Sequence, residues 1–152
     1  MQLDPTDRRI LQVLQRDGRI SNADLADRIA LSPSACHRRV HRLETDGFIA
    51  AYVALVDPRK IGKQTTVFVE ITLNGQSDEV LDSFERAVAR IPDVLECHLM
   101  AGSADFLLKL MVEDTEDFAR IHRQYLARLP GVAQMQSSFA LRTVVKTTAL
   151  DL

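Results

Sequence analysis

The stretch from Ser21 to Gly47, SNADLADRIALSPSACHRRVHRLETDG, constrains the fold most. It predicts two short helices joined by a tight turn. Ser21 is a good N-cap, and Asp24 falls in the first turn, beside the positive end of the helix dipole. Leu25, Ala26 and Ile29 share one face and form an apolar stripe. Leu31 breaks that period, and Ser32-Pro33 opens a second helix. Ser is a favoured cap, and Pro at the first helical position lacks only an N–H that would be unpaired anyway. Cys36, Val40 and Leu43 then recur at i, i+4 and i+7 and should face a core. Gly47 stops the helix.

This second helix has a thin apolar stripe and a broad outer face. At about 100° per residue, Ser34, Arg38 and His41 lie opposite the stripe, flanked by His37 and Arg42. No Asp or Glu interrupts the run before Glu44. The small residues Ser32, Ser34 and Ala35 let the backbone approach a groove closely. Hydroxyls and free N–H groups there suit phosphate. Arg38 has the reach to donate two hydrogen bonds to guanine O6 and N7. Arg39 and Arg42 are better placed for phosphates. A charge run of this kind can equally be a solvated surface, and the helix alone does not choose between the two. The capped helix and turn in front of it favour a helix-turn-helix that reads double-stranded DNA.

Charge distribution agrees. The whole chain of 152 residues carries −2, which argues against a general nucleic-acid binder. Residues 1–60 hold ten Lys/Arg against eight Asp/Glu, and residues 61–152 hold nine against thirteen. A mildly basic front and an acidic back suit contact with DNA at one end. A hydrophobic content of 46% supports a real core. No apolar run is long enough to span a membrane, and MQLDPTDRR lacks the order of a secretory signal. The expectation is a cytoplasmic protein. Cys36 and Cys97 give no disulfide framework and sit in periodic segments, as small core residues do.

Upstream, Asp4-Pro5-Thr6-Asp7 marks another helix start, with Asp4 as cap. Ile10, Leu11 and Leu14 form its stripe, and Gly18 is expected to end it. Three helices therefore make a head over residues 1–49. Residues 50–64 connect it to the rest. Phe48 to Val56 (FIAAYVALV) reads as a strand leaving the head, ended by Asp57-Pro58. Its apolar character asks for a partner, and pairing with a second copy across a two-fold axis would supply one.

Residues 65–152 contain an internal repeat: Arg90-Ile91-Pro92-Asp93-Val94 recurs as Arg128-Leu129-Pro130-Gly131-Val132. An amphipathic helix precedes each copy. The first turns Leu81, Phe84, Val88 and Ile91 inward, capped by Ser77. The second turns Phe118, Ile121, Tyr125 and Leu129 inward, capped by Thr115. Before each helix lies an alternating strand, with Val67, Val69, Ile71 and Leu73 in the first and Phe106, Leu108 and Leu110 in the second. After each proline another strand follows, Val94 to Met100 and Gln134 to about Lys146. The order is βαβ then βαβ, a ferredoxin-like sandwich with two helices on one sheet face. The α+β chain thus joins a three-helix, winged helix-turn-helix head to that sandwich. The other sheet face carries Phe68, Leu107 and Met111, or their strand neighbours depending on register, and predicts an oligomer interface.

Taken in order, LDPTDRRIL, SNADLADRIALSPSACHRRVHRLETDGFI, HLMAGSADFLLKL, RLPGV and SSFALRTVVKTTAL resemble the leucine-responsive/asparagine-synthase-regulator (Lrp/AsnC, feast/famine) family of prokaryotic transcription regulators, end to end. The resemblance implies dimers that pair through the connecting strand and pack their sheets face to face, often assembling into octameric discs on which DNA wraps. It also implies a small effector, usually an amino acid, bound between dimers near the turn after the second strand. The family commonly has Gly-Asp-x-Asp there. Gly102 and Asp105 match, while Ser103 stands in place of the first carboxylate that would face a ligand's ammonium group. Ser137 and Ser138 match a small-polar pair near the same pocket.

Other chemistry has less support. His37 and His41 have a spacing that can bind zinc, but no third ligand lies near. Cys97 and His98 are adjacent on a strand and point to opposite faces. No phosphate-binding glycine loop or catalytic carboxylate pair is present, and nothing calls for a cofactor. A ferredoxin-like fold hosts many activities, so the competing reading is a ligand-binding or enzymatic domain with a vestigial head. Such a protein would not need the basic outer face of Ser32–Leu43.

Overall fold

The computed structural model describes residues 3–152. They group into two compact units. One holds the residues up to Leu55 together with Val145–Leu152, and the other holds Val56–Val144.

The first unit is built from α1 (Pro5–Leu14), α2 (Asn22–Ile29) and α3 (Pro33–Thr45). Each begins on the side chain the sequence offers. Asp4 accepts from the Asp7 N–H, Ser21 from Asp24 and Ser32 from Ala35, and each such cap is worth about 1 kcal/mol. α1 stops at Leu14, four residues short of the expected Gly18. Between α2 and α3 the chain turns at Ala30, which takes the left-handed conformation at φ 58°. Ile10, Leu11, Leu25, Ala26, Ile29, Cys36 and Leu43 form the core of this unit, with Val40 half-buried against it. The closing residues of the chain also belong to this unit. Gln15 pairs with the Leu150 backbone, donating to its carbonyl at 3.0 Å and accepting from its N–H at 2.6 Å.

Two expectations about strands fail. Phe48–Val56 is not a strand. From Ala50 on it has no regular secondary structure, and among the described residues no strand pairs with it. A ladder needs a second backbone, and the described residues of one copy do not provide it. Tyr52, Val53, Leu55 and Val56 are therefore left exposed. The last strand is also shorter than expected, Val132–Phe139 in place of Gln134 to about Lys146. Its neighbour begins at Thr65, so the backbone pairing ends when the Ala140 N–H reaches the Thr66 carbonyl.

The second unit follows the repeat: β1 (Thr65–Leu73), α4 (Asp78–Val88), β2 (Val94–Leu99), β3 (Phe106–Val112), α5 (Thr115–Gln124) and β4 (Val132–Phe139). The strands lie in the order β2-β3-β1-β4, all antiparallel. Val67 faces Leu110 and Val69 faces Leu108 across the two central strands. These inward residues pack with Phe84 and Val88 of α4 and with Phe118 and Ile121 of α5. Phe84 and Phe106 meet with ring centroids 4.5 Å apart.

Details of the two helices differ from expectation. Ser77 is the N-cap of α4 but its hydroxyl makes no cap hydrogen bond. α5 is capped by Asp114, not Thr115. Its carboxylate outcompetes the neighbouring hydroxyl for the Asp117 N–H. α5 also stops at Gln124 and passes into a 3₁₀ turn, Leu126–Arg128. At three residues per turn the phase of the stripe changes, so Leu126 is fully buried while Tyr125 is only half-buried. Cys36 is buried and Cys97 half-buried, both as free thiols. Burial pushes the Cys36 thiol up, and burial with Glu85 nearby takes Cys97 to about 11. No helix among the described residues is long and apolar enough to cross a membrane.

Candidate nucleic-acid interface and effector site

α3 presents the face expected of a reading helix. Ser32, Ser34, His37, Arg38 and His41 are exposed. Ser32 Oγ lies 3.3 Å from Ser34 Oγ. Arg38 has no hydrogen-bond or ion-pair partner among the described residues, so its guanidinium is free for a ligand. His37 and His41 run parallel one turn apart, with ring centroids 6.5 Å apart. His41 Nδ1 is 3.9 Å from a Glu44 oxygen. Beyond α3, Tyr52 donates to Glu44 at 2.9 Å, and partial desolvation of its hydroxyl with that contact lifts its phenol to about 12 although the side chain stays partly exposed.

Arg39 and Arg42, expected on phosphates, are occupied elsewhere. Arg39 Nη1 donates to Asp4 at 2.6 Å and to Asp7 at 2.8 Å, and Arg42 Nη2 donates to Asp7 at 2.6 Å. Both arginines are half-buried, and Asp7 is 1% exposed. The Arg39 hydrogen bond, aided by the Asp7 N–H, holds the Asp4 carboxyl below its usual range. The Asp4 and Asp7 carboxylates in turn hold Arg39 protonated still more firmly than usual. The cause is geometric. Residues 39 and 42 share one face of α3, residues 4 and 7 share one face of the start of α1, and the two helices pack there.

The proposed effector residues are more dispersed. Gly102 and Ser103 are exposed in the turn between β2 and β3. Asp105 is half-buried and turned toward the strand ends. Its oxygens accept from the Leu73 N–H at 2.7 Å and from Gln76 at 2.8 Å. It thereby fastens the end of β1. Ser137 and Ser138 do not act as a pair on one face. Ser137 lies opposite Val69, on the covered side of the sheet, and Ser138 opposite Phe68, on the open side. What the fold gathers near Ser103 is a shallow polar cavity of about 170 Å³, lined by Glu70, Thr72, Ser103, Ala104, Gln134 and Gln136. Glu70 and Thr72 were visible in the sequence as the outward positions of an alternating strand. Their pairing with Gln136 and Gln134 was not, because register between distant strands leaves no local trace.

Further along the open sheet face, Glu96 accepts from Lys109 at 2.6 Å and sits 3.2 Å from His98. These contacts, Lys109 first, hold its carboxyl down. Cys97 faces the helices and His98 the open side, opposite Leu108 and Leu107 respectively, so they do not meet.

A capped three-helix head with a free cationic face, followed by a ferredoxin-like sandwich, defines a DNA-binding protein with an appended sensing domain. Comparison with known proteins agrees on both parts. Residues 3–50 match the winged helix-turn-helix DNA-binding family, and residues 66–150 match the Lrp/AsnC ligand binding domain. The chain is 43% identical over 148 residues to the leucine-responsive regulatory proteins of Escherichia coli K12 and Salmonella typhimurium, covering 97% of this chain and 90% of theirs. Among solved structures, a transcriptional regulator of Neisseria meningitidis in complex with L-Met superposes with a TM-score of 0.93 at 36% identity, covering 99% of this chain and 97% of that one. An AsnC family transcriptional regulator from Agrobacterium tumefaciens gives 0.94 at 36% identity, covering 98% and 97%. The chain belongs to the Lrp/AsnC family of DNA-binding transcription regulators. Its second unit is the family's ligand-binding domain, which takes small-molecule effectors. The reading of the head as vestigial is set aside.

Proposed function

We propose that the chain recognises operator DNA through Ser32, Ser34, His37, Arg38 and His41, and that an amino acid controls this binding through the second unit. The observation that carries the first part is Arg38, without a partner among the described residues, at the centre of the exposed face of a capped α3. Support for the second is the L-Met held by the Neisseria meningitidis relative, together with Ser103 and its polar surroundings on the open sheet face. Asp105 acts as the fastener of that turn, placing Gly102 and Ser103 for a ligand. With Ser103 at the usual carboxylate position, Glu70 is the acidic group that lines the cavity and could face an ammonium. Ser138 shares the open face, and Ser137 serves as packing.

Control is indirect in this reading. A ligand shifts an equilibrium only by its differential affinity for the two states. The two states are assemblies of different size, built from homodimers and extending to an octamer. The exposed Tyr52–Val56 segment pairs with its counterpart in a second chain, and the open sheet faces pack together. Each assembly presents a different set of α3 helices to successive half-sites. The protein needs no cofactor, performs no catalysis and works in the cytoplasm. The test is solution mass measured with and without a panel of amino acids, alongside binding to genomic DNA fragments. One amino acid should change both mass and fragment affinity. Indifference of both to every member of the panel would refute amino-acid control.

A further inference from the structure

Asp7 is the one charged residue buried among the described residues. It sits between two arginines of the reading helix, in a protein whose ligand is a polyanion. We propose that Asp7 is a positioning residue for DNA recognition: it withholds Arg39 and Arg42 from the phosphates and sets the rotation of α3, so that Arg38, His37 and His41 meet the groove. The proposal rests on the reading of α3 as the DNA-contacting helix.

Three observations carry it. First, the contacts are directional. The apolar seam of Ile10, Leu11, Cys36 and Leu43 turns one face of α3 inward but sets its rotation only coarsely, since hydrophobic contact has no preferred direction. Charge-assisted hydrogen bonds do have one. Asp7 makes two, to residues 39 and 42, one turn apart on α3. Asp4 adds a third and is itself tied to α1 through the Asp7 N–H. Rotation of α3 would break them together.

Second, the charges cancel. Two carboxylates face two guanidiniums, so the inner flank of α3 adds no net charge to the DNA-facing surface. Third, Arg42 depends on Asp7 alone. Its Nε is buried without an acceptor among the described residues, and Asp7 is its one ion-pair partner there. The Asp7 pair is thus the contact that aims the Arg42 guanidinium.

Neutralising Asp7 should therefore release cationic side chains as well as loosen the helix. A duplex enriched from a randomised pool by the wild-type protein provides the specific probe, and a random duplex of equal length provides the other. Full-length wild type, Asp7→Asn, Arg39→Gln and Arg42→Gln are titrated over a range of salt, at a temperature where circular dichroism shows each to be folded. Asp7→Asn should bind random DNA more tightly, with a salt slope steeper by about 0.9 for each arginine that reaches a phosphate. Its preference for the enriched duplex should fall roughly tenfold, the size of one lost base contact. Arg42→Gln and Arg39→Gln should lose preference while keeping the wild-type slope.

A purely structural residue would move the melting temperature and leave slope and preference alone. A slope shallower by about 0.9 in Arg42→Gln would make that arginine a phosphate contact and overturn the proposal. So would an Asp7→Asn protein with wild-type slope and preference. Should Asp7→Asn fail to fold, the two arginine variants decide the matter by the same slopes. A pool from which wild type enriches nothing would defeat sequence reading by α3 itself, and this inference with it.

Discussion

Arg38 and Arg42 lie four residues apart on one helix and have opposite surroundings. Arg38 is exposed and has no partner among the described residues, while Arg42 is half-buried against Asp7. Their mutations should differ accordingly. Arg38→Ala is expected to weaken operator binding by ~1–3 kcal/mol and leave random DNA nearly unaffected. Gel-shift titrations on the two duplexes check this, and equal losses on both would make Arg38 a phosphate contact. Asp117 provides a separate prediction about pH. It accepts the Glu113 N–H at 3.0 Å and pairs with Arg120 and Lys63, and these contacts take its carboxyl down to about 2. A depressed carboxyl stabilises the fold above its unfolded value of 3.8 and loses that contribution as pH falls toward 2. The wild type should out-melt Asp117→Asn at neutral pH, and the gap should close between about pH 4 and pH 2.

At the scale of elements, the repeat makes the clearest forecast. Gly131 follows the second proline in a position that Asp93 holds in the first copy. Gly131 has φ 71°, and a Cβ there would come within 3.3 Å of Val80. Gly131→Ala should therefore cost about 1–2 kcal/mol from the left-handed backbone alone, with the Val80 contact adding to it. Gly47 also has positive φ but opens onto free space, so Gly47→Ala should incur only the backbone penalty. Denaturant melts of the two variants should rank in that order. The elements themselves were readable because caps, prolines and apolar periods are local. The misjudged ends were those where a competing neighbour decided: Asp114 over Thr115, and a 3₁₀ turn that brings Leu126 inward.

At the scale of the molecule, apolar surface is left over. Val53, Leu55 and Val56 are 74%, 72% and 63% exposed on a segment that pairs with no strand among the described residues. A lone chain would present this surface to water, and with it a partly exposed Phe68 on the open sheet face. The prediction is a solution mass well above the 17.0 kDa of one chain, reduced by placing a charge at Val53 or Leu55. Sedimentation velocity checks it, and a wild-type monomer would refute pairing of the exposed segment with a second copy.

Local chemistry alone determined the helices, the starts of the first three, the βαβ repeat and the inward residues of β1 and β3. These follow from periods of 3.6 and 2 and from side chains that bond their own backbone. Tertiary structure decided what depends on distant partners. It turned Arg39 and Arg42 toward Asp7, and set Ser137 and Ser138 on opposite faces. It brought Glu70 and Gln136 together beside Ser103, and stopped β4 where β1 begins. Such pairings arise between residues tens of positions apart, and no spacing within a single segment encodes them.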